Sequence, residues 1–318
     1  MRTKPDHGLF PFSAFCDMKI LTIVGPTAVG KTDIAVAIGA RVSGEIISAD
    51  SRQIYRHLTI GTAKPTLKQQ RKVRFHLIDF VEPGEDYSCG QFARDAEQRI
   101  ENIQDRNRTP IVCGGTGLYI KALFHPLDEL PKSNRKTKEH LQAMIDKHGL
   151  GYLYDKLQRV DPTWAKRITP QDKQRIMRGL EVYKITGKPL SRLIGKKEKV
   201  ARFLPYYIGL NLPRKMLYDK INRRFDNMIE QGLVGEVDSL LAHGFDPRSN
   251  ALRTIGYKEI VEHLQGALTL DKAIDKAKRR TRNFAKRQIT WFNNIPGLTW
   301  HNPDDPVLVD SIIRRSGI

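Results

Sequence analysis

The segment ILTIVGPTAVGKTDIAVAIGA, at residues 20–40, constrains the fold of this chain more than any other. Its apolar start, from Ile20 to Val24, is typical of a strand that is buried on both faces. A turn bounded by glycines follows, and after it apolar residues recur at helical spacing. Strand, turn and helix together are the context that the G-x-x-x-x-G-K-[ST] phosphate-binding loop requires. The sequence therefore predicts an α/β protein with a parallel sheet that binds a polyphosphate.

The residue types in this loop are those that anion binding needs. The loop predicted to bind a diphosphate or nucleotide consists of Gly25, Pro26, Thr27, Ala28, Val29, Gly30, Lys31 and Thr32. Gly25 and Gly30 let the backbone curl so that successive N–H groups point at an anion, and the following helix adds its positive end. Lys31 places a point charge on the terminal phosphates, and the Thr32 hydroxyl is placed to ligate Mg²⁺. A glycine turn that only packs is the alternative.

The charge of the chain indicates what kind of partner it binds. Lysine and arginine number 54 against 35 aspartate and glutamate residues, which gives a formal net charge of +19. Solubility needs less charge than this, so the excess favours a polyanionic partner such as nucleic acid. A generically basic surface without such a partner is the alternative.

Cysteine spacing and hydropathy constrain the compartment. Cys16, Cys89 and Cys113 have neither metal-site nor disulfide-framework spacing, so a reducing cytoplasm is expected. No apolar run approaches the ~18 residues of a membrane helix, so no membrane association is expected. Residues 1–17 contain only a short, proline-broken apolar stretch, and we expect a disordered leader ahead of Met18 rather than a signal peptide.

An acidic residue ends the second predicted strand. This strand covers residues 44–50, and its last residue is Asp50. In an open parallel sheet the carboxyl ends of the strands line the ligand crevice, so Asp50 is expected beside the phosphate loop. The alternative role for Asp50 is the N-cap of a helix over residues 51–55, and the two roles are compatible.

Two further strands also end in polar residues. Asp79 lies in a predicted strand at 75–81 and resembles a Walker-B acid, although a loop carboxylate is an equally good interpretation. A strand from Pro110 runs into a glycine-rich turn, where Gly114 and Gly115 allow the backbone to approach a ligand closely. Thr116, in the same turn, offers a hydroxyl for hydrogen bonding.

From about residue 125 the predicted elements are helices alone. Thr169 is the expected N-cap of one of them, and Gly187 is its expected end. Strand character returns at about residue 203. The predicted boundaries are 1–17 for the leader, 18–124 and 197–318 for a catalytic core with C-terminal helices, and 125–196 for an all-helical insertion domain.

The last long predicted helix, residues 271–292, is amphipathic and basic. Its predicted buried stripe consists of Ile274, Ala277, Thr281, Phe284, Ala285 and Ile289. Its other faces carry Lys272, Lys276, Arg279, Arg280, Lys286 and Arg287. Because hardly any acid accompanies these bases after Asp275, binding to a phosphate backbone is favoured over a merely solvated face.

Motifs along the whole chain after Met18 resemble those of the bacterial tRNA dimethylallyltransferases. In order, they are GPTAVGKT (25–32), SADSRQIY (48–55), GTAKP (61–65), HLID (76–79), GGTGLY (114–119), DKQRIMRGLEVY (172–183), TGKPLS (186–191), RTIGYKE (253–259) and AKRQITWF (285–292). The departures from the family pattern are small: Val29 replaces a small residue, and Phe75 stands where histidine is common. Neither removes a group that the chemistry needs.

The resemblance implies a fold, a reaction and two substrates. The implied fold is a P-loop NTPase or kinase-like core with a helical insertion. The implied reaction transfers the dimethylallyl group of dimethylallyl diphosphate to N6 of an adenine, which is flipped out of its loop into a channel. That adenine lies 3′ of the anticodon, at tRNA position 37, in tRNAs that read codons beginning with U. The partner is thus the tRNA anticodon stem-loop, and we expect the enzyme to be a monomer.

The resemblance also implies roles for particular residues. Asp50 matches the general base, Thr27 the hydroxyl that assists at the reacting centre, and Arg224, rather than Arg223, the arginine at the diphosphate. Mg²⁺ is expected on Thr32. The implied tRNA contacts are Asp50, Ser51, Arg52, Gln53, Thr116, Gln174, Arg175, Ile176, Met177, Arg178, Arg253, Lys258 and, by spacing only, Lys138.

Three other functions are kept as alternatives. A small-molecule P-loop kinase would turn over ATP and have little use for a charge of +19. An adenylate isopentenyltransferase, which prenylates free adenine nucleotides, would not need the helical insertion or the basic helix. A non-catalytic RNA-binding protein would not need Asp50, Lys31 and Thr27 together.

Overall fold

The computed structural model describes residues 19–125, 128, 130–195 and 201–318. The predicted leader, residues 1–17, lies outside the described residues. The chain divides into two compact units at residues 125/126 and 200/201. The first unit, here called the core unit, contains the phosphate loop, and the second, the insertion unit, contains residues 126–200.

The core unit is built on a parallel sheet. Its described strands are β1 (Lys19–Val24), β2 (Gly44–Ser48), β3 (Phe75–His76), β4 (Thr109–Gly114), β5 (Leu204–Leu210) and β6 (Thr299–His301). They are arranged in the order β3-β2-β4-β1-β5-β6, and every pairing among them is parallel. The predicted α/β class with a parallel sheet is therefore confirmed.

Helices cover both faces of the sheet. The described α-helices are α1 (Lys31–Arg41), α2 (Leu67–Lys72), α3 (Cys89–Gln104), α4 (Gly117–Phe124), α5 (Arg135–Val160), α6 (Pro162–Ala165), α7 (Lys173–Thr186), α8 (Arg214–Glu230), α9 (Leu233–Ala242), α10 (Tyr257–Leu264), α11 (Leu270–Phe292) and α12 (Leu308–Ser316). On one face Ile38 of α1 and Leu217 of α8 pack in a core that includes Val29 of the phosphate loop. On the other face Phe92 of α3 and Ile120 of α4 pack together. No helix in the described ranges combines the length and apolarity needed to cross a membrane.

The described part of the insertion unit is helical and has its own apolar core. Leu153 and Leu157 of α5 pack there with Ile176 of α7. The N-cap of α7 is Asp172, not the predicted Thr169, because the Asp172 carboxylate accepts a hydrogen bond from the Arg175 N–H at 3.1 Å. The end of α7 at Gly187, which has a left-handed φ of 68°, is as predicted.

Two further local predictions are wrong. The predicted strand at 75–81 is reduced to β3, because positive φ values of 58° at both Leu77 and Asp79 turn the backbone out of extended geometry. The predicted helix over residues 51–55 is a series of turns. Asp50 therefore caps no helix, and its Oδ1 atom accepts a hydrogen bond from the Arg52 N–H at 2.8 Å.

A buried carboxylate stabilises the end of the sheet remote from the phosphate loop. The Glu45 side chain is 1% exposed and accepts two hydrogen bonds from the Arg106 guanidinium, at 2.6 and 2.8 Å. It also contacts the His76 ring at 2.6 Å. These hydrogen bonds, led by those from Arg106, outweigh burial and lower the pKa of Glu45 to about 2.

Replacing Glu45 by glutamine is expected to lower the free energy of unfolding by about 2–3 kcal/mol at neutral pH. Breaking a fully buried ion pair costs about 3–5 kcal/mol. The expected cost is smaller here because the Arg106 side chain is 43% exposed. Because the pKa of Glu45 is lower in the folded state, its contribution to the free energy of unfolding is present above the unfolded-state pKa of about 4.5. This contribution is lost as pH falls towards 2. Urea unfolding of both proteins across this range checks the prediction, and a difference that grows on acidification would contradict it.

Candidate active site

The carboxyl ends of β1, β4 and β2 lie side by side and carry the predicted site. Val24 of β1 is opposite Gly114 of β4, and Ser48 of β2 is opposite Cys113. A Cβ atom at Gly114 would lie 2.2 Å from the Ala49 carbonyl oxygen, so only glycine permits this approach. The phosphate loop (residues 25–32), the glycine turn (residues 114–117) and the Asp50 turn (residues 49–53) thus occupy neighbouring positions at one edge of the sheet.

The phosphate loop has the curled backbone that the sequence predicted. Gly25 has a φ of 150°, and a Cβ there would lie 2.4 Å from the Leu210 carbonyl oxygen. Gly30, with a φ of 104°, is the N-cap of α1. The Lys31 ammonium folds back over the loop and donates a hydrogen bond to the Pro26 carbonyl at 2.7 Å. The loop therefore combines a helix N-terminus with a cation that lies over it.

Two cations and one carboxylate act on one another in this site. Burial lowers the pKa of Lys31 to about 8; the charge of Asp50 opposes this shift and that of Arg224 adds to it. Burial also lowers the pKa of Arg224, again against the effect of Asp50. Desolvated cations interact strongly with an anion that enters the site, because little water screens them. The arrangement is suited to a polyphosphate held beside a carboxylate.

Thr27 is held by groups from distant parts of the chain. Its backbone N–H donates to the Gln288 Oε1 atom of α11 at 2.9 Å. Its hydroxyl oxygen lies 3.5 Å from the Arg224 Nη1 atom of α8. Arg223, the neighbour of Arg224, is exposed, which agrees with the choice of Arg224 as the residue of the site.

The Asp50 turn is attached to the glycine turn. The Thr116 Oγ1 atom accepts a hydrogen bond from the Ser51 N–H at 3.0 Å, and the Thr116 N–H donates to the Ala49 carbonyl at 3.1 Å. Asp50 itself is half-buried. Thr116 thus fixes the backbone on both sides of Asp50.

Other predicted tRNA contacts of the core unit also bind within the protein. The Gln53 amide accepts from the Ser48 hydroxyl at 3.1 Å and donates to the Ala63 carbonyl at 3.0 Å. The Arg52 guanidinium donates to the Asn250 carbonyl at 2.7 Å. Gln53 therefore links the Asp50 turn to the GTAKP segment, and Arg52 links it to the residues before α10.

The remaining core positions lie at the surface. Arg253 is exposed, and Lys258 is half-buried with its Nζ atom 4.0 Å from Glu262 Oε1. Asp79, the Walker-B-like acid, forms an ion pair with Lys64 and has a side chain that is 57% exposed. This geometry favours the loop-carboxylate interpretation of Asp79.

In the insertion unit the predicted tRNA-contact segment of α7 has two faces. Ile176 is fully buried, and Met177 packs partly buried against the same core. Arg178 donates to Glu181 and to the Pro131 carbonyl, both at 2.7 Å. Gln174 and Arg175 are exposed. The half-buried Lys138 lies in the second turn of α5.

Sequence reasoning missed two residues that hold the site together. Gln288 is 6% exposed and lies on the buried face of α11 with Ala285 and Phe292; it belongs to the AKRQITWF motif (285–292), but no role was predicted for it. Glu236 of α9 accepts hydrogen bonds from the N–H groups of Thr59, Ile60 and Gly61 and from the Tyr257 hydroxyl. Glu236 therefore anchors the loop that leads into GTAKP, and no local pattern marks it.

The protein oxygen available at the phosphate loop fits a magnesium ion that is bound mainly through the substrate. Thr32 is half-buried in the first turn of α1 and offers one hydroxyl oxygen. No cluster of three or more histidine, cysteine or acidic side chains exists among the described residues that would form an all-protein metal site. Mg²⁺ commonly takes one or two protein oxygens and fills its other positions with water and substrate phosphates.

The fold and the site define a P-loop protein with a carboxylate beside its phosphate loop. The sequence model described as IPP transferase matches residues 53–295, and that described as isopentenyl transferase matches residues 18–83. The chain belongs to the IPP transferase family.

Individual relatives and solved structures agree with this assignment. The tRNA dimethylallyltransferase 1 of Syntrophotalea carbinolica is 45% identical over 88% of this chain and 90% of its own length. The tRNA dimethylallyltransferase of Alkaliphilus metalliredigens is 45% identical over 93% and 96%. The tRNA isopentenylpyrophosphate transferase of Bacillus halodurans superposes with a TM-score of 0.68 at 39% identity, covering 94% of each chain. A eukaryotic dimethylallyltransferase, described as acting on tRNA, superposes with a TM-score of 0.79 at 27% identity, covering 94% of this chain and 79% of its own.

Proposed function

We propose that this protein transfers the dimethylallyl group from dimethylallyl diphosphate to N6 of the adenine 3′ of the anticodon in tRNAs that read UNN codons. The observation that carries the proposal is the presence of Asp50 beside the phosphate loop and two desolvated cations, Lys31 of the loop and Arg224 of α8. Membership of the IPP transferase family and the names of the relatives support the same reaction. The products are N6-(dimethylallyl)adenosine and diphosphate.

The diphosphate is the leaving group. The bond between C1 of the dimethylallyl group and the bridging oxygen breaks, and its electron pair stays on that oxygen. Lys31, Arg224 and the N–H groups of the phosphate loop other than that of Thr27 are preorganised donors for the charge that develops there. Thr32 would hold Mg²⁺, which would supply further neutralisation of the diphosphate charge when bound.

Asp50 accepts a proton from the attacking amine. The N6 amine of adenine is a weak nucleophile because its lone pair is delocalised into the purine. As N6 bonds to C1, it loses one proton, which passes to the Asp50 carboxylate. The Oδ1 atom of Asp50 accepts the Arg52 N–H at 2.8 Å, and this hydrogen bond orients the carboxylate towards the site. The Thr27 hydroxyl, 3.5 Å from Arg224, assists at the reacting centre.

The basic surface of the protein binds the tRNA backbone. Four of the eight bases on α11 are paired within the protein: Lys276 with Glu262, Lys278 with Asp226, Arg280 with Glu259 and Arg282 with Asn222. The exposed bases Lys272, Arg279, Lys286 and Arg287 are the ones of this helix that we assign to phosphate contacts. Extruding the target adenine from an anticodon loop costs a few kcal/mol of unstacking, less than from a duplex. We further propose that the protein acts as a monomer in the cytoplasm.

Label transfer tests the proposal against its alternatives. The protein is incubated with unmodified tRNA and dimethylallyl diphosphate labelled in the prenyl group, with AMP as a competitor, and in parallel with ATP. We expect label in tRNA, little label in AMP and no ATP turnover. Label in AMP would favour the adenylate isopentenyltransferase, and ATP hydrolysis without labelled RNA would favour a kinase. RNA binding without any turnover would favour a non-catalytic RNA-binding protein.

The affinity for dimethylallyl diphosphate is expected to fall as pH rises above about 8. The diphosphate binds the protonated form of Lys31, whose pKa in the free protein is about 8. Binding therefore requires proton uptake above that pH, and the Kd rises by up to about tenfold per pH unit. Calorimetry between about pH 7 and 10 measures it, and Lys31→Arg, which keeps its charge, is the control with a flat profile. A flat wild-type profile would contradict the assignment.

A further inference from the structure

Gln288 is a buried amide that takes no direct part in the proposed prenyl transfer. It lies in α11, 261 residues from Thr27 in sequence, and its side chain is 6% exposed. Burial of an amide is unfavourable unless its groups are hydrogen-bonded. Both polar atoms of the Gln288 amide are hydrogen-bonded. The Oε1 atom accepts from the Thr27 N–H at 2.9 Å, and the Nε2 atom donates to the Gly115 carbonyl at 2.8 Å. The side chain thus joins the phosphate loop to the glycine turn.

The glycine turn is shaped around this amide. A Cβ atom at Gly115 would lie 2.3 Å from the Gln288 Nε2 atom, closer than packing allows. One helical turn further along α11, the Trp291 indole occupies the space where a Cβ at Gly117 would lie, 2.2 Å from its Nε1 atom. The contact between α11 and the glycine turn therefore requires glycine at two positions.

The hydrogen bond from Thr27 changes what the phosphate loop offers to a ligand. In an ordinary phosphate loop the backbone N–H groups point at the anion. Here the Thr27 N–H is already bound to Gln288, so it is not among the donors to the diphosphate. The bond instead fixes the backbone at Thr27, and the hydroxyl of that residue lies 3.5 Å from Arg224.

We propose that Gln288 is a positioning residue that acts through Thr27. By fixing Thr27 between the glycine turn and Arg224, it places the Thr27 hydroxyl for the reaction. The glycine turn that Gln288 binds is the one whose Thr116 accepts a hydrogen bond from the Ser51 N–H, next to Asp50. The proposal rests on the proposed prenyl transfer.

A double-mutant cycle tests this role. Gln288→Met keeps the length of the side chain and removes both hydrogen bonds; we expect it to lower the single-turnover transfer rate about 10- to 100-fold, with the Kd for tRNA unchanged within about twofold. In a Thr27→Ala background, the same Gln288→Met change should lower the rate by no more than about threefold, because the hydroxyl that it positions is absent. Asn283→Met, on an exposed position of α11, is the matched control and should retain the wild-type rate.

The outcomes separate the two proposals. Equal losses from Gln288→Met in both backgrounds, or a wild-type rate for Gln288→Met alone, would overturn the positioning role. Wild-type protein that transfers no prenyl group would instead overturn the proposed function. Circular dichroism and thermal melting of each variant identify any loss of rate that comes from unfolding. If Gln288→Met unfolds, Gln288→Glu replaces it in the test, because it keeps the acceptor for the Thr27 N–H but places a carboxylate against the Gly115 carbonyl. Gln288→Glu should then lower the transfer rate in the wild-type background and have little effect in the Thr27→Ala background.

Discussion

Asp50→Asn is expected to lower the rate of prenyl transfer by about 10²–10⁴-fold while tRNA binding survives. The asparagine keeps the oxygen that accepts the Arg52 N–H, so the turn around residue 50 is preserved. What is lost is the capacity to accept a proton from N6, and general-base catalysis is typically worth this much. Single-turnover transfer and a tRNA filter-binding assay measure the two quantities separately.

Asp79→Asn is the matched control for this substitution. Asp79 is also an acid that follows a strand of the sheet, but its carboxylate is paired with Lys64 and is largely exposed. We expect the Asp79 variant to retain transfer within about threefold of the wild-type rate. An Asp50→Asn protein with an unchanged rate would show that a different group takes the proton.

Arg224→Met should lower kcat/KM by about 10²–10³-fold. The guanidinium is half-buried beside the Thr27 hydroxyl, where burial lowers its pKa and raises its value as a donor to an anion. Loss of one preorganised donor to developing negative charge typically costs this much in rate. Steady-state kinetics with dimethylallyl diphosphate as the varied substrate checks the effect.

Arg223→Met separates the local role of Arg224 from a general effect of charge. The two arginines are adjacent and have the same charge, but Arg223 is exposed. At saturating tRNA we expect kcat of the Arg223 variant to stay within about twofold of wild type. Equal losses in the two variants would mean that the net charge of α8, and not the position of one guanidinium, is what matters.

The parts of the site that follow from local sequence could be predicted. The backbone of the phosphate loop is determined by its own glycines and by the strand and helix around it. Residues 25–32 can therefore be recognised as a phosphate loop from the sequence alone. Asp50 could be predicted because the carboxyl ends of parallel strands meet at one edge of the sheet. The alternation of strands and helices was likewise sufficient for the α/β class.

The contacts between distant segments could not be predicted. Gln288 is one polar residue on an apolar helix face, and its partner in the phosphate loop is 261 residues away. The predicted strand at 75–81 was too long because apolar composition does not reveal the positive φ of Leu77 and Asp79. The N-cap of α7 was misplaced by three residues because Thr169 and Asp172 are both good caps, and only the structure shows which carboxylate or hydroxyl meets the free N–H.

The claim that the phosphate loop holds a leaving diphosphate, and not a phosphoryl group in transfer, can be tested by the fate of one atom. Dimethylallyl diphosphate is synthesised with oxygen-18 at the bridging position between C1 and phosphorus, and the reaction with tRNA is followed by mass spectrometry. Cleavage of the C1–O bond, as proposed, places all of the oxygen-18 in the released diphosphate and none in the prenylated adenosine. Oxygen-18 recovered in dimethylallyl alcohol, with a phosphoryl group transferred to an acceptor, would contradict it.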